Sequence, residues 1–210
     1  MSDPALTLMQ WLSPAFPVGA FAYSHGLEQA VADGLVRDDA SLQNWIAVLI
    51  TEGSAMADAV LLTAAYRSDT PADIDAIARA FAASAERLKE SDLQGAAFCD
   101  TARAVWKIPI TGLAYPVAVG AAARAMAVPL AQTLPLYLHA FASNLVAAAQ
   151  RLMPLGQTAG QQVLANLARI IEATAAKAQD AALDDLSATS FAADIAAMRH
   201  ETLTHRIFRT

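Results

Sequence analysis

The chain has 210 residues, of which 56% are hydrophobic and only 16% charged, with a formal net charge of -6 and a single cysteine. A chain of this size buries about 70% of its unfolded surface, enough for one well-cored domain, and it is too apolar for disorder and too poor in Gly and Pro for a low-complexity fibre. The lone Cys99 excludes a disulfide framework and a multi-cysteine zinc site, and Lys89, Lys107 and Lys177, the only lysines, supply no basic patch for nucleic acid.

Residues 1–10 carry neither the basic start nor the apolar run of a secretion signal, so the expected location is the cytoplasm. Pro14, Pro17, Gly19 and Gly26 then punctuate a loop that leads into a helix, with Ser24 expected as its N-cap and Glu28 near its positive end. Ala22-Tyr23-Ser24-His25-Gly26 also resembles a relaxed nucleophile elbow. A hydrolase elbow joins a strand to a helix, however, and no strand pattern precedes it. Leu42, Trp45, Ile46, Leu49 and Ile50 fall on one helical face. Thr70-Pro71, with Asp73 in the first turn, opens another helix whose apolar stripe is Ile74, Ile77, Phe81 and Leu88. Tyr115-Pro116 opens a further one in the same way.

From Ala125 to Gln150 there is no Asp, Glu, Lys or Arg, and the mean hydropathy of the chain is +0.35, so a membrane span has to be considered. Pro129, Pro135 and Asn144 interrupt the run, and Gln132, His139, Ser143 and Gln150 recur on one narrow stripe. That pattern predicts a buried or interface helix with an uncharged polar seam. Pro154, Gly156 and Gly160 mark a turn before the helical pattern Val163, Leu167, Ile170, Ile171 and Thr174. Asp180, Asp184, Asp185 and Asp194 precede a basic end with Arg199, His200, His205, Arg206 and Arg209. The expected organisation is an all-α domain over residues 1–198 and a basic tail, 199–210, that orders only on a partner. No segment alternates like a strand, and alanine, the best helix former, makes up roughly a quarter of the chain. The fold class is therefore all-α, a compact single-domain bundle of about ten short helices without a sheet.

Tests for chemistry return negatives. There is no Walker loop. His200 and His205 are five apart, which sets them roughly 140° apart on a helix and rules out a zincin pair. No glutamate has a histidine three residues on, as a di-iron bundle requires. No catalytic residue, metal site or stably bound cofactor is expected, and the apolar composition points to a surface covered by another subunit. The alternative on the residues alone is a helical small-molecule- or haem-binding protein using His25 or His139.

Three segments give a more specific reading. Ser13-Pro14-Ala15-Phe16-Pro17-Val18-Gly19-Ala20-Phe21-Ala22-Tyr23-Ser24-His25-Gly26-Leu27-Glu28 resembles the S-P-x-x-P-V-G-x-F-x-Y-S-x-G-L-E signature of the urease accessory protein F family (UreF). Ser143-Asn144-Leu145-Val146, with Arg151-Leu152-Met153-Pro154-Leu155-Gly156-Gln157 and Gly160-Gln161, resembles a second block of that family. The ending, His200-Glu201-Thr202 with Arg206-Ile207-Phe208-Arg209-Thr210, is similar to the family's H-E-x-x-x-x-R-L-F-R-S. The chain departs from the family at Glu90-Ser91-Asp92-Leu93-Gln94-Gly95, where relatives often carry a basic residue, and at Ile207 and Thr210, where Leu and Ser are common.

The resemblance implies an all-α, non-enzymatic accessory protein that dimerises and bridges urease accessory protein D, also called H, and the nickel-carrying GTPase accessory protein G. Such an assembly delivers nickel to apo-urease, with nickel and GTP handled by the partners. Within that frame, Ser13, Pro14, Pro17 and Gly19 would fix a loop presenting Phe16, Phe21 and Tyr23, ahead of Ser24, Gly26 and Glu28. Arg151, Gln157 and Gln161, set by the turn at Pro154 and Gly156, divide between internal turn chemistry and partner contact. His200, Glu201, Arg206, Ile207, Phe208 and Arg209 form a mixed basic and apolar strip that reads as a partner-docking tail.

Overall fold

The computed structural model describes residues 3–210, among which there are ten α-helices and no strand. They are α1 (Pro4–Trp11), α2 (Leu27–Ala32), α3 (Asp39–Thr51), α4 (Ser54–Arg67), α5 (Pro71–Ala80), α6 (Ala85–Trp106), α7 (Tyr115–Ala125), α8 (Leu130–Leu152), α9 (Gln157–Asp180) and α10 (Phe191–His200). Single 3-10 turns lie at Ala20–Ala22 and Leu183–Asp185. The bundle is all-α as expected, but its helices are not uniformly short: α6, α8 and α9 run 22, 23 and 24 residues.

The centre of the bundle is α4, buried on nearly every side from Ala55 to Thr63 and packed against α7, α9, α3 and α8. A helix apolar all round belongs in a core. Small residues let its neighbours come close. A Cβ placed on Gly120 of α7 would lie 2.3 Å from the Leu62 carbonyl oxygen, so only glycine permits that crossing. The stretch Asp39–Arg67 is long and apolar enough to cross a membrane, but 72% of its most apolar window is buried inside the fold. The uncharged run falls on α8, whose Leu134, Leu138, Ala142 and Leu145 are buried while Gln132 and His139 face solvent. The polar seam is thus the outer face of a core helix.

Two local expectations are corrected. The stripe from Ile74 to Leu88 is not one helix. The chain leaves α5 at Phe81 and restarts at Ser84, whose hydroxyl accepts the Arg87 N–H and caps α6. The break lets Arg79, at the end of α5, pair with both Asp75 and Asp92 and donate to the Gly112 carbonyl. Ser24 is not the N-cap of α2 either. That position is Gly26, at φ 75°, where a Cβ would also meet the Ala197 backbone nitrogen of α10 at 2.8 Å. Left-handed backbone and a close helix approach both demand glycine there.

Candidate interaction site

The three family-like segments, far apart in sequence, meet at one end of the bundle. In the first, the proline- and glycine-set loop turns Phe16 inward against Phe98 and Trp106, with ring centroids 5.5 and 6.3 Å away. Tyr23 is buried as well, and its phenol is raised above its ordinary pKa first by burial, then by Glu90, with Arg209 working the other way. Only Phe21 of the three expected aromatics is presented, at 70% exposure. Pro14 and Pro17 are exposed, and Gly19 takes the left-handed conformation that turns the chain into the 3-10 turn carrying Phe21.

The second segment braces this loop from α8. Asn144 Nδ2 donates to the Tyr23 carbonyl at 3.2 Å, and Arg151 Nη1 donates to the Phe21 carbonyl at 3.0 Å. The same Arg151 guanidinium stands 4.3 Å over the ring of Phe208 in the tail. Pro154 and Gly156 form the expected turn into α9, and Gln157 and Gln161 on its first turns are exposed. Gln157 accepts from the Gln150 side chain, so part of its polarity is used within the turn.

The third segment departs most from expectation. Residues 199–210 were expected to order only on a partner, whereas here the tail lies on its own domain. Phe208 is 3% exposed and Thr210 5%. The reason is the buried carboxylate of Glu28, which accepts the backbone N–H groups of Ile207 at 2.6 Å and Phe208 at 2.9 Å. Ser24 donates both its backbone N–H and its hydroxyl to the Thr210 carbonyl, and the Arg209 N–H goes to the Ala22 carbonyl. His200, with no exposed surface, sits between Glu28 and Glu86. Glu86 also pairs with Arg206, and the exposed Glu201 accepts the Ala85 N–H at the start of α6. On either side of the buried Phe208, the tail offers Arg206, Ile207 and Arg209 outward.

Below the loop lies a buried ionic cluster that periodicity could not reveal. Arg87 on α6 pairs with Asp58 of α4 at 2.6 Å and Glu90 at 3.4 Å, while the Tyr137 hydroxyl donates to Asp58 at 2.9 Å. Burial works against the Arg87 charge, but Asp58 and Glu90 overcome it and hold its pKa above the ordinary value. Burial raises Glu90, opposed by Arg87, Thr210 and Gln94. Burial, helped by Arg87, pushes His25 down to about 3. Its Nε2 contact with Glu90, at 3.2 Å, is therefore a neutral hydrogen bond rather than an ion pair, and its Nδ1 has no partner. Beside this cluster a cavity of about 370 Å³ opens under Met9, Phe21 and Leu136, lined by both His25 and His139.

No group of three or more His, Cys, Asp or Glu residues among those described is placed to hold a metal ion. His200 has both ring nitrogens on carboxylates, and His205 is exposed. Of the expected partner residues, Phe21, Arg151, Gln157, Gln161, Glu201, Arg206, Ile207 and Arg209 are at the surface, whereas Phe16, Tyr23, Glu28, Phe208 and His200 face inward and hold the others in place.

The family model UreF matches residues 36–168. The chain is 58% identical over 212 residues to the urease accessory protein UreF of a Ruegeria species, covering 100% of this chain and 99% of the relative. It is 54% identical to that of Roseobacter denitrificans, covering 100% and 95%, and 45% identical to that of a Bradyrhizobium species, covering 100% and 94%. The family model stops short of the first and third segments, but these relatives span both.

Proposed function

Since the chain belongs to the UreF family of urease accessory proteins, we propose that it is a non-enzymatic scaffold of urease assembly, bridging accessory protein D (or H) and the GTPase accessory protein G. In this reading it works in the cytoplasm as a homodimer, and the assembly passes nickel to apo-urease under control of GTP hydrolysis on the partner. The observation that carries the reading is the convergence of the three segments. A loop, a helix end and a tail that have no catalytic group in common are tied into one surface presenting Phe21, Arg206, Ile207 and Arg209. Apolar and arginine side chains clustered on a pre-ordered backbone suit protein recognition, because ordering is not charged against binding.

The test is co-purification of tagged chain with accessory proteins D and G, sized by light scattering, with and without residues 206–210. A stoichiometric complex that loses D on truncation, from a chain of unchanged helicity, supports the reading. Normal binding by the truncated chain rejects the tail as the docking element, and an intact chain that stays alone rejects the partner set. A second reading, small-molecule binding, has one observation in its favour: the cavity lined by His25 and His139. It predicts a preparation with a ligand visible by absorbance or native mass.

A further inference from the structure

The cavity under Met9, Phe21 and Leu136 holds about 370 Å³, a volume in the range of small-molecule sites. Leu8, Trp11, Val18 and Phe141 make its walls apolar and partly aromatic, while Arg87, Asp58 and Glu90 of the buried cluster form a charged edge. Arg87 is closest to Asp58, at 2.6 Å, and stands 3.4 Å from Glu90. The other groups on Glu90 are neutral donors: the Gln94 amide, the Thr210 hydroxyl and His25 Nε2. Among the lining residues one guanidinium therefore serves two carboxylates, and Glu90 is the one short of a cation. Burial raises its pKa, as expected of a carboxylate whose charge is incompletely offset. Hydrogen-bonding capacity is also left unused. His25 holds φ at 51°, left-handed backbone that few side chains adopt, and its ring lies 4.6 Å from that of Phe141. With Nε2 donating to Glu90, the neutral ring keeps Nδ1 as a lone pair, and no donor meets it. Tyr115 lines the cavity too, its hydroxyl without a hydrogen-bond partner among the described residues.

We propose that this cavity binds a small organic cation, a primary ammonium or amidinium on an apolar body, with its charge toward Glu90 and its body among Trp11, Phe21 and Phe141. Each feature of that ligand answers a feature of the site. The positive charge offsets the second carboxylate at a buried edge, where it counts for more than in water. The N–H groups supply the donor that His25 Nδ1 lacks and a partner for the Tyr115 hydroxyl. Aromatic faces attract a desolvated cation beyond what burial of its body contributes. An anion would instead meet two carboxylates, and a neutral isostere would leave Glu90 short of a cation. The inference rests on the small-molecule reading of the cavity and is independent of the scaffold role.

The test is calorimetric titration of the full-length chain at pH 7 with phenethylammonium, its neutral isostere phenethyl alcohol and the anion phenylacetate, with the site read from the Trp11 indole and Met9 methyl resonances. Phenethylammonium should saturate one site, shift both resonances and bind about tenfold tighter than the alcohol, and phenylacetate should not bind. Ala140→Leu, which fills the cavity from α8, should weaken ammonium and alcohol alike. Glu90→Gln should erase the preference between them, and the wild-type series decides the matter if that variant fails to fold. Equal affinity for ammonium and alcohol overturns the cation while leaving a small-molecule cavity. A chain that binds none of the three probes overturns both, as does binding that leaves Trp11 and Met9 unmoved. A preference that survives in folded Glu90→Gln overturns the assignment of the charge to Glu90. Co-purification with the accessory proteins reads none of these outcomes, so a failed cavity and a failed scaffold are told apart.

Discussion

His25 and His200 are both buried beside glutamates, yet they belong to regions held together in different ways. His25 faces one carboxylate, Glu90, stands near the Arg87 charge and packs 4.6 Å from the Phe141 ring, and it is held neutral. Around it α4, α6 and α8 are fixed by close apolar packing, with Leu62, Phe98, Leu134 and Leu138 fully buried. His200 faces two carboxylates, and around it the tail is fixed by one buried side chain, Phe208, and a few directional bonds to Glu28, Ser24 and Arg151. Burial over many side chains over-determines a helix register, whereas a handful of hydrogen bonds, each worth about 1 kcal/mol net, can be broken singly. The expected order of opening is therefore the tail first and the core as a whole.

The largest effect should come from the core. Gly120→Val drives a side chain into the Leu62 carbonyl, 2.3 Å from the Cβ position, and should cost about 3 kcal/mol, or roughly 6–12 °C in melting temperature. Core and tail should melt together in this variant. An unchanged melting temperature would mean that α4 and α7 can separate freely, and the contrast with the tail would fail.

A smaller effect, with a definite sign, belongs to His25. Unfolded, it binds a proton below about 6.5; folded, only near 3. Between those values the unfolded chain carries the extra proton, so the stability from its neutral form is fully present above pH 6.5 and is lost as the pH falls toward 3, by up to a few kcal/mol. Glu90, raised by burial, works in the opposite sense. The difference between wild type and His25→Gln isolates the histidine: chemical denaturation at pH 7 and pH 4.5 should show the wild type losing more.

The core was legible because local spacing reports it. The stripe from Leu42 to Ile50 and the proline openings at Pro71 and Pro116 gave α3, α5 and α7 nearly at their observed starts. The break between α5 and α6 leaves no trace in the apolar spacing, because Phe81 and Leu88 continue the stripe across it. The tail was misjudged for a different reason. Glu28 was correctly placed in the first turn of α2, but its carboxylate serves Phe208, 180 residues away, and no periodicity reports such a pairing. Family resemblance marked the three segments as special without saying that they touch. The Arg87 and Asp58 pair, 29 residues apart, left no local signal either.

The smallest effect probes the joint between the two regions. Arg151 grows from α8, a core helix, but its guanidinium serves the loop at the Phe21 carbonyl and the tail at the Phe208 ring. Arg151→Met keeps an apolar stem of similar length while removing both polar contacts. The exposed cation–π contact and one hydrogen bond together come to about 1–2 kcal/mol, so protection of the Phe208 amide should fall by about five- to thirtyfold while the melting temperature of the core stays within a degree or two. Arg151→Lys, which keeps the charge but not the planar fork, should fall between the two. If Arg151→Met instead lowered the core melting temperature as much as it loosened the tail, loop, tail and bundle would be one cooperative unit, and the tail could not open by itself.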